Sequence, residues 1–379
     1  MARSRPRVWL LAACATVLLW ASVAQLVAVG RLLLLFGVAG DAHPSPPPSV
    51  LPPPRIYKSN GYLKISCNGG LNQMRSEICD MVAVARLLNL TMVVPELDKR
   101  SFWADQSNFG DIFDVRHFID SLRDEVQIIK QLPESLGARD SDIIFQMPPV
   151  SWSDEKYYLH QILPLFNKYS AIHFNKTDAR YAYPWWRDKE IDSQAKRSQG
   201  LCPLTPEETS LVLKALGFQK DALIYIAAGE IYGGDRRLEP LRAAFPKLVR
   251  KEMLLDSEVL HQFQNHSSQM AALDFIVSTA SDVFIPTFDG NMAKLVEGHR
   301  RFLGFRRSVV LDRQKLVELL DLYTNKTISW DNFASSVREA HKSRVAQPSC
   351  RRKLENRPKE EDYFYANPQE CLANSSLCS

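Results

Sequence analysis

The stretch Tyr62-Leu63-Lys64-Ile65-Ser66-Cys67-Asn68-Gly69-Gly70-Leu71-Asn72-Gln73-Met74-Arg75 joins a strand pattern to a helix pattern through two glycines. Residues 62–67 read as a strand. Met74, Ile78, Met81, Val82, Ala85 and Leu88 then fall on one face of a helix, and residues 91–94 read as the next strand. A strand–loop–helix–strand unit of this kind favours a parallel sheet. Glycines at such a junction let the backbone approach a ligand closely, and the N–H groups that open a helix favour an anion. Gly69, Gly70 and Leu71 therefore read as a phosphate or sugar-nucleotide loop, or else as a tight turn between two packed elements.

Downstream the same style returns. Thr205-Pro206-Glu207-Glu208 is a capping box with proline at the first helical position. Residues 223–228 read as a buried strand, and Ser267 or Ser268 caps a helix that runs through Ala280. Residues 283–285 read as a strand, 289–291 as a turn, 292–303 as a helix and 309–311 as a strand, with helices following to about 342. The expected fold is α/β: two doubly wound, Rossmann-like units with a cleft between them, spanning 55–180 and 181–345, and a tail over 346–379.

Upstream, Arg3, Arg5 and Arg7 precede an uncharged run over 8–30, long enough to cross a bilayer. The positive-inside rule keeps the arginines in the cytosol. The expectation is a cytosolic tail over 1–7, a signal anchor over 8–30 and a proline-rich, extended stem over 31–54. The rest then lies in the lumen as a single-pass type II protein. Asn-x-Ser/Thr sequons at Asn89, Asn175, Asn265, Asn325 and Asn374 agree with that compartment, as do the cysteines beyond Cys14, which suggest disulfides. A net charge of +4 is mild and points to no nucleic acid.

Two more polar clusters follow predicted strands, where α/β sheets place ligands. One is Gly229 and Glu230 in Ala228-Gly229-Glu230-Ile231-Tyr232-Gly233-Gly234, which suits a base or ribose, or is a flexible loop. The other runs through Ser267, Ser268, Asp274 and Asp282 to Asp289, Gly290, Asn291 and Lys294. Helix capping and a type I′ turn at Asp289-Gly290 are the plainer readings of that cluster. Asp140-Ser141-Asp142 is a weak match to an Asp-x-Asp metal motif, and the histidines lack metal-ligand spacing. Arg300, Arg301, Arg306 and Arg307 read as a solvated or dipole-complementing helix end.

Residues 69–75, 103–123, Leu201-Cys202-Pro203-Leu204-Thr205-Pro206-Glu207-Glu208, 226–233, 266–304 and 358–372 together resemble the plant O-fucosyltransferase family. The resemblance covers nearly all of the chain beyond the stem. It implies a Golgi membrane glycosyltransferase of the two-domain GT-B type that inverts the sugar carbon and requires no metal or other cofactor. The implied partners are a nucleotide-sugar donor such as GDP-fucose and a glycan or protein acceptor. Asn72 falls where such enzymes hold an asparagine beside the donor phosphate, with Arg75 as a further catalytic candidate. Some plant relatives instead transfer rhamnose to pectin from a UDP-linked donor.

One departure stands out. Family members carry several dozen residues between the segments resembling 172–180 and 181–186, including a His-x-Arg-x-Glu motif whose arginine binds the donor diphosphate. Here Arg180 runs directly into Tyr181, and no His-x-Arg-x-Glu occurs. The second domain is therefore expected to be incomplete, with a strand missing and Cys202 unpaired. Activity is expected to be weak or absent unless a substitute such as Arg75 or Arg187 serves. The alternative is a non-catalytic Golgi protein, a splice form or pseudoenzyme.

Overall fold

A computed structural model describes residues 51–100, 105–137, 143–150, 153–175, 192–304 and 306–344. The chain divides into a unit over 1–52, almost wholly outside the described residues, and a unit over 53–379 that holds everything below. The predicted anchor over 8–30, Asp140-Ser141-Asp142, the Arg180–Tyr181 junction and Arg187 all lie outside the described residues. Among those described, no helix is long and apolar enough to cross a membrane. The chain is α/β with a parallel sheet.

That sheet has five strands: β1 (Tyr62–Ile65), β2 (Thr91–Val93), β3 (Ile128–Ile129), β4 (Ile144–Met147) and β5 (Ala171–Phe174). They lie in the order β3-β2-β1-β5-β4, and every pairing is parallel. The first strand is thus central. Leu63 and Ile65 are 0% and 3% exposed, as a strand covered on both sides requires. Helix α1 (Leu71–Leu87) returns the chain across the sheet. Its predicted apolar face is the observed one: Met74, Ile78, Ala85 and the C-cap Leu88 are buried, and Met81 and Val82 pack against them.

The second half contains α2 (Pro206–Ala215), β6 (Ile224–Tyr225), α3 (Gly234–Ala244), β7 (Leu248–Val249), α4 (Ser267–Ala280), α5 (Asn291–Phe302), α6 (Arg313–Thr324) and α7 (Trp330–His341). The capping box forms as read: Glu208 N donates to Thr205 Oγ1, and Thr205 N donates to Glu208 Oε2. Three expectations need correction. The strand over 223–228 contracts to Ile224–Tyr225, half-buried, beside β7 alone. Among the described residues, the strands over 283–285 and 309–311 reduce to isolated bridge residues, Phe284 pairing in parallel with Ser308. An internal strand is held on two edges; among the described residues β6 is paired on one. Third, Gly290 is extended at φ −87°, ψ 174° and serves as the N-cap of α5, so no type I′ turn, which needs positive φ, is present.

The arginine run is corrected as well. Arg300 is 0% exposed and Arg301 9%; neither forms a solvated face. The Arg300 guanidinium donates to the carbonyls of Ser278, Thr279, Ser281, Asp282 and Arg307 and to Ser308 Oγ, at 2.6–3.2 Å. It complements the end of α4 rather than of its own helix. Among the described residues, Cys67, Cys79 and Cys202 are free thiols.

Candidate active site

The loop into α1 lies at the carboxyl end of β1. Gly69 has φ +86°, a left-handed conformation that favours glycine, and a Cβ there would displace the end of the Gln73 side chain, whose Oε1 would lie 2.4 Å away. The loop's N–H groups already have acceptors. Asn68 N donates to Glu77 Oε2 at 2.7 Å, Gly69 N to Asp98 Oδ2 at 2.9 Å and Gly70 N to Gln73 Oε1 at 3.1 Å. The Gly69 and Gly70 amides are thus engaged within the chain. The loop is ringed by carboxylates; burial first, then Glu77, Asp98 and Glu96, push the Cys67 thiol well up.

What α1 does offer is its first turn. The N–H groups of Leu71, Asn72 and Gln73 open the helix, where no intrahelical acceptor exists. Leu71 is buried in the core, and Asn72, 8% exposed, has an Oδ1 that is buried with no hydrogen-bond partner. A buried amide oxygen left unpaired costs about 1–3 kcal/mol, so Asn72 is held at this turn at a cost to stability. Arg75 turns the other way. Its guanidinium lies 4.1 Å from the centroid of the Phe275 ring on α4, and burial lowers its pKa. His299 of α5 meets the same ring edge-on. Helix α1 thus packs against both α4 and α5, which brings the first and third predicted clusters together.

Ser267 and Ser268 begin α4, with His266 at the N-cap. The cap itself comes from Asp105, 163 residues away, whose Oδ2 accepts from Ser268 N at 2.5 Å while Oδ1 accepts from Ser107 N at 2.8 Å. Burial opposes ionisation of Asp105, yet these bonds outweigh it and hold the carboxyl below its ordinary range. His266 Nδ1 lies 3.2 Å from Ser107 Oγ and 3.5 Å from Asp105 Oδ1. Serine and aspartate meet the same ring nitrogen, so the trio is not a nucleophilic relay, in which they would occupy opposite ones.

The loop carrying Gly229 and Glu230 is tethered by basic groups that sequence reading passed over. Lys251 Nζ donates to Ala228 O at 2.6 Å, and Arg250 Nη2 to Gly229 O at 3.0 Å. Lys251 also bonds Asp274 Oδ2 at 2.8 Å, whose Oδ1 accepts from Tyr225 Oη at 2.7 Å. All three predicted clusters therefore abut α4. Asp289 pairs with Lys294 at 3.7 Å at the start of α5, where Gly290 is the cap and Asn291 the first helical residue.

On α5, burial pushes the Glu297 carboxyl from its ordinary value near 4.5 up to about 7; Arg301 opposes, Asp289 adds and Lys294 opposes. A raised pKa means that the folded state holds the proton more tightly. Stability is then full below about pH 4.5 and falls as pH rises to about 7. The E297Q variant, which copies the protonated acid, should gain on the order of 1–3 kcal/mol above pH 7 and nothing below about pH 4.5. Urea midpoints across that range test this. Asp80 on α1, pushed to about 6 by burial, gives a residual slope of the same sign.

The glycine junction thus stands at the carboxyl end of the central strand of a parallel sheet, the place where α/β folds bind ligands. Residues 62–195 and 186–303 match the GDP-fucose protein O-fucosyltransferase family, and the chain belongs to it. The chain is 52% identical over 464 positions to rhamnogalacturonan I rhamnosyltransferase 1 of Arabidopsis thaliana, covering 99% of this chain and 93% of the relative. It is 50% identical to rhamnogalacturonan I rhamnosyltransferase 4 of the same plant (98% and 94% covered) and 38% identical to its O-fucosyltransferase 7 (86% and 72% covered). The first alignment runs to 464 positions although the chain has 379 residues, so more than eighty positions of that relative face a gap here. The family match, too, comes in two stretches that overlap at 186–195.

Proposed function

We propose that this chain is a Golgi-anchored member of the family of the rhamnosyl-transferring kind, acting on the pectin backbone rhamnogalacturonan I. We propose further that it is impaired by an internal gap at Arg180–Tyr181. The carrying observation is the contrast in identity: 52% and 50% to rhamnogalacturonan I rhamnosyltransferases against 38% to an O-fucosyltransferase. This favours rhamnose over fucose as the sugar. The reading also takes the two halves as a GT-B pair, with residues 8–30 as the type II anchor.

In this reaction an acceptor hydroxyl attacks the anomeric carbon: a new C–O bond forms, the C–O bond to the nucleoside diphosphate breaks with inversion, and the hydroxyl proton passes to a base. Negative charge grows on the leaving phosphate. The first turn of α1 meets it with the N–H groups of residues 71–73, the turn that carries Asn72. With Gly69 and Gly70 committed and Glu77 and Asp98 close by, that turn alone is a poor cradle for two phosphates. An arginine on a transferring phosphoryl group is worth about 10³ to 10⁵ in rate, which is what the gap removes.

The test is a chimera carrying the relative's unmatched segment between Arg180 and Tyr181, assayed beside the unaltered chain. The chimera should transfer rhamnose from UDP-rhamnose to rhamnogalacturonan I oligosaccharides, and the unaltered chain at least ~10³-fold more slowly. Transfer of fucose from GDP-fucose instead, or equal rates for both proteins, would overturn the reading.

A further inference from the structure

Two of the Asn-x-Ser/Thr sequons lie at helix ends that close in the same way. Helix α6 ends at its C-cap Asn325, and Lys326 follows in a left-handed conformation at φ +59°. Lys326 N donates to Tyr323 O and Thr327 N to Leu322 O, the paired bonds of a Schellman closure. Helix α1 ends at its C-cap Leu88, and Asn89 follows at φ +52°. Asn89 N donates to Arg86 O and Leu90 N to Ala85 O. In both turns the backbone satisfies itself. Whether the asparagine amide and the hydroxyl two residues on remain available then depends on where the chain goes next.

After α1 it enters β2 at once. Thr91 is 3% exposed, and its hydroxyl bonds Ser59 Oγ at 2.9 Å and Gln127 Oε1 at 3.2 Å. Asn89 is half-buried, and its Oδ1 accepts from Arg55 Nη2 at 2.7 Å. After α6 the chain turns over the surface into α7, and residues 324–327 are all exposed. Among the described residues, neither Asn325 nor Thr327 makes a side-chain hydrogen bond. The rings of Tyr323, Trp330 and Phe333 lie 5.1–5.8 Å apart on either side of the turn and anchor it. Asn265 is exposed too, but Ser267 is half-buried at the start of α4 and already has a partner. The sequons at Asn175 and Asn374 reach outside the described residues.

We propose that Asn325, at the α6–α7 turn, is the principal attachment site of an N-linked glycan on this chain, and that Asn89 stays bare. An N–C bond forms between Asn325 Nδ2 and the anomeric carbon of the first sugar. The C–O bond from that carbon to a lipid-linked diphosphate breaks, and one Nδ2 proton passes to a base of the transferring enzyme. A glycan is bulky and strongly hydrated, so the native fold holds it only where the side chain leads into water. Asn325 meets that condition with no bond given up. At Asn89 the sugar would start from a half-buried amide held against Arg55, and the Thr91 hydroxyl of the sequon is shut in once β2 pairs. The inference rests on the anchored, lumenal reading proposed above, since this transfer takes place on the lumenal side. It does not depend on which sugar the chain itself transfers.

The test uses the full chain made in plant cells. Treatment with a peptide N-glycosidase in heavy-oxygen water turns each glycan-bearing asparagine into labelled aspartate, which peptide mass spectrometry reads. Asn325 should be labelled in most molecules and more fully than any other sequon, and Asn89 should be unlabelled. N325Q and T327A should each lose the gel retardation of one glycan, while T327S, which restores a hydroxyl, should keep it. Both positions are exposed, so these variants should keep the parent's urea midpoint. Labelling of Asn89, or fuller labelling of Asn175, Asn265 or Asn374 than of Asn325, would overturn the proposal. Protease protection in sealed membrane vesicles reports topology separately. A protected domain with a bare Asn325 sinks this inference alone; a digested domain with no glycan at any sequon sinks the lumenal reading along with it.

Discussion

The R300M variant is expected to lose about 4 kcal/mol or more of stability, the largest effect of any single change considered. Arg300 is fully buried and serves five carbonyls and the hydroxyls of Ser281 and Ser308. Two of those carbonyls, Ser278 and Thr279, belong to the last turn of α4, where a helix has no N–H of its own to offer. Methionine fills much of the volume but leaves these oxygens buried and unpaired, at about 1–3 kcal/mol each. Domains are stable by only about 5–15 kcal/mol, so a sizeable unfolded population should follow. R300K should recover a minor part, because lysine offers three N–H groups at one point in place of five in a planar fork. Urea unfolding followed by circular dichroism reads this as a fall in midpoint with little change in slope. A midpoint within the error of the parent would show that water satisfies those carbonyls.

The second large effect is expected at Asp274. The pair it makes with Lys251 is almost dry, at 5% exposure for both residues. D274A leaves the lysine cation buried, with Ala228 O at 2.6 Å and the more exposed Glu252 at 3.4 Å, and removes the acceptor of Tyr225 Oη. Breaking such a pair from one side costs about 3–5 kcal/mol. Replacing the whole set should not, because desolvation of the charges is relieved together with their attraction. The triple variant Y225F/K251M/D274L should therefore return to within roughly 1 kcal/mol of the parent. The 228–230 loop should exchange faster in D274A, since the same lysine tethers it. Equal losses in the single and triple variants would assign the effect to packing instead.

The comparison between pattern and structure divides by the range over which each feature is decided. The α1 face and the Thr205–Glu208 box were legible because their partners sit three or four residues apart. The strands of the second half were readable as apolar runs, but their lengths were not, since a strand extends only where neighbours supply both edges. The arginine run was misread for a related reason. Charge in sequence looks solvated, and nothing local to residues 299–307 announces that the end of α4 needs donors. Asp105 left no usable signal either, as it caps a helix 163 residues away.

The sequence by itself determined the alternation of strands and helices, the glycine junction at residues 68–70, the family and the absence of a His-x-Arg-x-Glu motif. These are properties of local order and of which residues are present. The tertiary structure decided how the polar groups were spent. It gave the Gly69 and Gly70 amides to Asp98 and Gln73, turned Arg75 onto Phe275, left Asn72 Oδ1 without a partner and split the second sheet at β6. Each outcome depends on which distant group reaches a given donor, acceptor or edge first. Chain order does not encode that until the helices have packed.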